Sequence, residues 1–226
     1  MHAVIFDFDG VLADTERLHM LALQQAFAGR GWALTDANYL THYLGYDDRG
    51  VVAAFVAAEG IQVTPRDAAA VLADKKRVYG ELLAAGRVLF PGARACIQRL
   101  ADVFPLAIAS GSLRGEIEHI LAANDLREAF TAIVGADDVT AGKPAPDSYL
   151  RAASALGVAP ARALAIEDSP WGLQSARSAG LVSIGVTTSY RPDGLSEADH
   201  VITSLDEVTV ALVRTLLARG AGAGVG

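Results

Sequence analysis

A short apolar run near the N-terminus ends in two carboxylates, and this pairing limits the possible folds more than any other feature of the sequence. Ala3-Val4-Ile5-Phe6 has the length and composition of a buried strand, and Asp7-Phe8-Asp9-Gly10 follows it directly. Two carboxylates this close repel each other unless a cation or a proton lies between them. A hard divalent metal ion such as Mg²⁺ is the simplest stabiliser. A turn rich in Asp that caps the next helix is the alternative.

Three more apolar runs are each followed by polar residues. These segments are Leu106 to Ala109 before Ser110-Gly111-Ser112, Ala132 to Val134 before Gly142-Lys143-Pro144, and Ala163 to Ile166 before Glu167-Asp168-Ser169. Helical patterns separate the runs, which predicts parallel strands whose carboxyl ends share one edge of a sheet. Open α/β sheets bind their ligands at that edge. We therefore expect one site that contains Asp7, Asp9, Ser110, Lys143, Glu167 and Asp168.

Taken together, the four polar segments resemble the four motifs of the haloacid dehalogenase superfamily, in the right order and over nearly the whole chain. Each motif alone is weak, whereas the set is specific. The nearest type has a helical cap inserted after the first motif and includes β-phosphoglucomutase and sugar-phosphate phosphatases. The resemblance implies an α/β fold with a Rossmann-like parallel-sheet core and an inserted α-helical cap domain.

The predicted cap domain is residues 15–90, and the predicted core domain is residues 1–14 and 91–226. The cap segment carries no alternating strand pattern, and its sequence predicts four helices over residues 15–28, 36–43, 47–59 and 65–85. Thr64-Pro65 is a typical helix start, with Thr64 as N-cap and Pro65 in the first helical position.

The resemblance also implies catalytic roles for four residues. Asp7 is the expected nucleophile, which forms an aspartyl-phosphate, and Asp9 is the expected general acid and then general base. Ser110 is expected to hold phosphate oxygens and Lys143 to neutralise the transferring phosphoryl group. A plain helix-capping serine and a solvated loop lysine are the alternatives for these last two residues. Asp137 and Asp138, in the loop before Lys143, are predicted to cap a helix rather than to take part in the site.

A Mg²⁺ ion is the implied cofactor. Its expected ligands are Asp7, the backbone carbonyl of Asp9, Asp168, and Glu167 either directly or through water. The expected substrate-binding residues beside the phosphate are Gly10, Gly111 and Ser112.

In the cap, the resemblance implies that His19 helps to orient the general acid-base Asp9 and that Lys75 contacts a distal phosphate or sugar. A helix-face histidine with no role and a solvated lysine are the alternatives. We take His19, Lys75 and Arg49 as the candidate substrate-binding residues of the cap. The mutase pattern has an arginine three residues after the glycine that corresponds to Gly45, but here that position is Asp48 and Arg49 lies one residue further. A helix turns about 100° per residue, so Arg49 would not reach a second phosphate with the same geometry. We therefore favour a phosphatase of a small phosphorylated metabolite, such as a sugar phosphate, over a phosphosugar mutase.

A receiver-type phosphoacceptor module is the alternative from another functional class, because it also combines Asp, Ser or Thr, and Lys on an α/β sheet. It would not carry about 75 helical residues directly after the first strand.

The net charge of −7 argues against nucleic acid as a partner. No apolar stretch reaches 18 residues, and no basic leader precedes the first strand, so we expect a cytoplasmic protein with no membrane partner. We predict a monomer or a weak dimer.

Overall fold

The computed structural model describes residues 1–43, 46, 48–84 and 88–223, and it shows an α/β fold with a six-stranded parallel sheet. The strand order is β3-β2-β1-β4-β5-β6. The strands are β1 (Ala3–Phe6), β2 (Leu106–Ala109), β3 (Ala132–Val134), β4 (Ala163–Glu167), β5 (Val182–Val186) and β6 (His200–Ile202). The predicted Rossmann-like fold class is confirmed.

Strand β1 lies inside the sheet, with β2 on one side and β4 on the other. All four of its residues are buried, as expected for a strand that helices cover on both faces. The strand order reverses direction at β1, and this switch point is where sheets of this type bind ligands. The polar residues that follow β1, β2 and β4 therefore share one edge of the sheet.

The core helices are α5 (Ala93–Ala101), α6 (Arg114–Ala123), α7 (Asp147–Ala155), α8 (Pro170–Ser178) and α9 (Val210–Ala223). Small side chains let α7 pack closely against the middle of the sheet. Ala107 and Ala109 of β2 share a buried cluster with Ala152 and Ala153 of α7. A helix that packs on alanines lies near the strand backbones, so the first turn of α7 can reach the carboxyl ends of the strands.

The contacts divide the chain into two compact units, residues 1–14 with 88–226, and residues 15–87. The division between the units falls between residues 87 and 88, and the predicted boundary, between residues 90 and 91, lies slightly further along the chain. The second unit consists of α1 (Thr15–Ala28), α2 (Asp36–His42), α3 (Asp48–Ala58) and α4 (Pro65–Ala84). These bounds agree with the four predicted helices to within one residue at each end. Among the described residues, no helix is both long enough and apolar enough to cross a membrane.

Two local features explain how the helical unit is organised. The Thr64 hydroxyl accepts a hydrogen bond from the Asp67 backbone N–H and donates one to the Asp67 carboxylate, which caps α4 as the sequence predicts. The aromatic rings of Phe27, Trp32 and Phe55 pack against one another in the core of this unit. The unit therefore has a hydrophobic core of its own.

Candidate active site

Two carboxylates that follow neighbouring strands are buried at the carboxyl edge of the sheet. Asp7 follows β1 and is 7% exposed, and Asp168 follows β4 and is 6% exposed. Burial and the charge of Glu167 raise the pKa of Asp7 well above the ordinary value. Burial also raises the pKa of Asp168 to about 6, although a hydrogen bond from Ser189 opposes the rise. Both carboxylates are therefore poorly stabilised as anions by the protein alone.

Lys143 supplies the positive charge at this edge. Its Nζ lies 2.9 Å from Asp7 Oδ1 and 2.5 Å from Glu167 Oε1, and its side chain is only 13% exposed. Burial alone would lower the pKa of Lys143, but the charges of Asp7 and Glu167 outweigh burial and raise it. The ammonium is therefore fixed as a cation next to Asp7, as the sequence predicted for these two residues.

Glu167, at the end of β4, is completely buried, and both of its carboxylate oxygens have partners. Oε1 accepts hydrogen bonds from Lys143 Nζ and from the Tyr149 hydroxyl, at 2.5 and 2.9 Å. Oε2 accepts from the backbone N–H of Asp168 at 3.1 Å and from the Ser169 hydroxyl at 3.1 Å. The carboxylate is therefore tied to three segments of the chain.

Asp9, two residues after Asp7, is held by two serines that follow β2. The Ser110 hydroxyl donates to Asp9 Oδ2 at 3.0 Å, and the Ser112 hydroxyl donates to the same oxygen at 2.7 Å. The Ser112 backbone N–H donates to Ser110 Oγ at 3.0 Å. The structure thus brings Asp9, Ser110 and Ser112 together. Gly111 lies between the serines, and a Cβ built on it would meet nothing within 4 Å.

Gly10 has a structural reason to lack a side chain. Its φ is +75°, and a Cβ at this position would lie 1.8 Å from Asp168 Oδ2. Only glycine combines this left-handed backbone with such a close approach. The backbone carbonyl of Gly10 also accepts a hydrogen bond from the Thr188 hydroxyl. Gly10 therefore allows the loops after β1 and β4 to approach each other.

Asp137 and Asp138 act as capping residues, as the sequence predicted. Asp137 Oδ1 accepts from the backbone N–H of Arg114, the first residue of α6. Asp138 Oδ2 accepts from the Gly135 backbone N–H and from the Arg114 guanidinium. These contacts fix the start of the helix that follows the two serines.

In the helical unit, two of the three predicted substrate-binding residues lie together. Lys75 is 3% exposed, and its Nζ lies 2.6 Å from His19 Nδ1 and 2.8 Å from Asp48 Oδ2. The neighbouring His19 ring and Lys75 lower the pKa of Asp48 to about 2.

The third predicted residue, Arg49, is exposed at the start of α3. The residue before it, Asp48, forms the ion pair with Lys75. Gly45, from which the mutase pattern is counted, lies outside the described residues. A depression of about 310 Å³ in this unit is lined by Glu16, His19, Tyr39, Tyr46 and Asp48.

Several residues that support the site were not predicted from the sequence. Tyr149 and Ser169 hold Glu167, while Thr188 and Ser189 follow β5 and contact the Gly10 and Asp168 loops. Ser169-Pro170 is a typical helix start and could have indicated the N-cap of α8. The polar run Thr187-Thr188-Ser189 after a buried strand was a second available signal.

Within the described residues, the oxygens of Asp7, Asp168 and Glu167 lie within 4.8 Å of one another. Oδ1 of Asp7 is buried without a hydrogen bond, apart from its ion pair with Lys143. Hard divalent cations take carboxylate oxygens of this kind, and a cation would stabilise the anionic forms of Asp7 and Asp168 that burial and the charge of Glu167 disfavour. The residues therefore fit a divalent metal ion.

This fold and this site define an α/β enzyme with an acidic, lysine-containing centre at the switch point of a parallel sheet. Residues 1–180 match the protein family described as haloacid dehalogenase-like hydrolase. The chain belongs to this hydrolase family.

Three similar proteins each cover at least 93% of this chain. Protein CbbY of Rhodobacter capsulatus is 37% identical over 230 residues, which cover 96% of this chain and 99% of that protein. A phosphorylated carbohydrates phosphatase of Thermotoga maritima is 33% identical over 222 residues, which cover 96% of this chain and 100% of that protein. A mutant of CbbY from Rhodobacter sphaeroides, crystallised with xylulose-(1,5)bisphosphate, is 30% identical with a TM-score of 0.75, covering 93% of this chain and 98% of that one.

Proposed function

We propose that this protein is a Mg²⁺-dependent phosphatase of a small phosphorylated carbohydrate, acting through an aspartyl-phosphate on Asp7. The observation that carries the proposal is the buried Asp7 carboxylate, whose Oδ1 has the Lys143 ammonium, 2.9 Å away, as its one polar partner among the described residues. A nucleophile needs such a free lone pair, and the adjacent cation can neutralise the incoming phosphoryl group. The phosphatase relatives support the same reaction class.

Each residue of the site has its own role in the proposed reaction. Asp7 attacks phosphorus, and Lys143 remains beside it to balance the negative charge on the phosphoryl oxygens. Asp9 gives a proton to the departing sugar oxygen and later takes one from the attacking water. Its hydrogen bonds to Ser110 and Ser112 fix the carboxylate until substrate phosphate competes for the same hydroxyls. A bound Mg²⁺, held by Asp7 and Asp168, would supply further charge neutralisation.

The metal requirement is tested by chelation. We expect EDTA to stop phosphate release and added Mg²⁺ to restore it. Asp7 and Asp168 supply few protein oxygens, and Mg²⁺ keeps several waters as its other ligands, so a chelator can compete for the ion. Asp168→Asn should weaken Mg²⁺ binding, measured by calorimetry, by at least about tenfold. Activity that persists after rigorous chelation would contradict the proposed cofactor.

The reaction class is tested by turnover. The purified protein should release many equivalents of phosphate from p-nitrophenyl phosphate, and then from members of a panel of sugar phosphates. The panel should include xylulose 1,5-bisphosphate, because a CbbY relative binds it. A single equivalent of phosphorylated protein without further release would instead identify a phosphoacceptor module.

A phosphosugar mutase remains the second candidate within the family. We predict that β-glucose 1-phosphate gives mainly glucose and phosphate, because Asp48 already neutralises Lys75 and a second phosphate would have to displace it. Products are separated by chromatography. Efficient formation of glucose 6-phosphate, stimulated by a trace of glucose 1,6-bisphosphate, would reverse this ranking. Arg49→Ala should then reduce mutase activity far more than hydrolysis of p-nitrophenyl phosphate.

A further inference from the structure

We infer that Tyr149 is a positioning residue for the phosphoryl-transfer step, acting through Glu167 to hold Lys143 against Asp7. The inference rests on the proposed phosphatase activity and assigns Glu167 to Lys143 rather than to the metal ion. Tyr149 has no exposed surface, and its hydroxyl donates to the same oxygen, Glu167 Oε1, that accepts from Lys143.

The tyrosine contacts Lys143 in two ways. The hydroxyl shares Glu167 Oε1 with the ammonium, and the aromatic ring lies with its centroid 5.0 Å from Nζ. A cation at this distance from a ring face is attracted to it. Burial and the charge of Glu167 raise the pKa of Tyr149 well above the ordinary value, so the phenol keeps its proton and donates.

Both carboxylate oxygens of Glu167 already have hydrogen-bond partners. Oε2 is bound at the start of α8 by the Asp168 backbone and the Ser169 hydroxyl, and the carboxylate lies flat against Gly172. Oε1 is shared by a cation and a phenol. Because a metal ion bound directly to Glu167 would compete with these bonds, we assign the charge of Glu167 to fixing Lys143.

Lys143 and Tyr149, the two donors to Glu167 Oε1, come from one segment of the chain. Lys143 lies in the loop before α7, and Tyr149 lies in its first turn. The alanine contacts between α7 and β2 hold this turn near the end of β4. Removing the Tyr149 hydroxyl would leave the ring and the helix packing unchanged. Glu167 Oε1 would then lose the hydrogen bond from Tyr149 and keep the one from Lys143.

Tyr149→Phe is the direct test. We expect kcat for p-nitrophenyl phosphate to fall about tenfold while KM changes less than about twofold, because a positioned cation matters most when charge develops in the transition state. Vanadate, a mimic of that state, should bind about tenfold more weakly by calorimetry, and Mg²⁺ affinity should stay within about threefold. Ser148→Ala is the matched control, since this neighbouring buried hydroxyl has no hydrogen-bond partner among the described residues.

A double-mutant cycle separates positioning from simple packing. If the hydroxyl acts through Glu167, Tyr149→Phe should have little further effect on kcat or vanadate binding in a Glu167→Gln background. Additive losses, an unchanged kcat in Tyr149→Phe, or loss of Mg²⁺ binding in that variant would each overturn the inference. The vanadate measurement needs no turnover, so it still decides the role of Tyr149 if the panel of phosphate esters shows that the proposed function is wrong.

Discussion

Asp7→Asn should lower kcat by at least about 10⁴-fold while leaving the metal-free protein at least as stable as the wild type. The amide has almost the shape of the carboxylate but is a far weaker nucleophile. Phosphate release from p-nitrophenyl phosphate measures the first effect, and thermal unfolding in EDTA measures the second.

The stability part of this prediction follows from the raised pKa of Asp7. Burial and Glu167 make the ionised carboxylate less favourable in the folded chain than in the unfolded chain. This cost is present at neutral pH and diminishes as the pH falls towards the ordinary carboxyl range. The neutral amide avoids the cost, and Lys143 keeps its ion pair with Glu167. Any gain in melting temperature should therefore shrink as the pH is lowered.

Asp102→Asn is the matched control, because Asp102 is exposed at the end of α5. It should change neither kcat nor the melting temperature noticeably. Normal activity in a purified Asp7→Asn protein would exclude the covalent mechanism. A clear loss of stability in EDTA would show that Asp7 stabilises the fold, contrary to the effect of burial on its pKa.

Gly172→Ala should reduce kcat by about 100-fold and lower the free energy of unfolding by about 1–3 kcal/mol. A Cβ on Gly172 would lie 1.8 Å from the carboxyl carbon of Glu167. Because Glu167 is completely buried and bound at both oxygens, it cannot rotate away without losing Lys143 or the start of α8. Displaced Lys143 would no longer neutralise the phosphoryl group at Asp7.

Gly115→Ala is the matched control for this substitution. Gly115 also lies in the first turn of a core helix, α6, but a Cβ there would meet nothing within 4 Å. This variant should leave kcat unchanged and gain up to about 0.5–1 kcal/mol of stability, as alanine does in an unstrained helix. Steady-state kinetics and thermal unfolding of the two variants are compared. If Gly172→Ala behaves like Gly115→Ala, the close contact with Glu167 does not constrain the site.

The sequence by itself determined four of the six strands of the described sheet, the helical insertion after β1, and the family. Apolar runs that end in polar residues give the strand ends, and parallel strands bring those ends to one edge. The cap helices were predicted to within about one residue, because signals such as Thr64-Pro65 act within a few residues of the chain. Asp137 and Asp138 were predicted to cap a helix, but the helix that Asp137 caps begins 23 residues earlier in the chain, at Arg114.

Only the tertiary structure decided how the charges are paired. The spacing of residues does not show that the Tyr149 hydroxyl shares an oxygen of Glu167 with Lys143. The role of Gly172 has no signal in the sequence. It leaves space for the Glu167 carboxylate, which a Cβ at this position would meet. The ion pair between Asp48 and Lys75 joins residues on two helices. Such contacts depend on how helices approach one another and the sheet, which the spacing of residues along the chain does not specify.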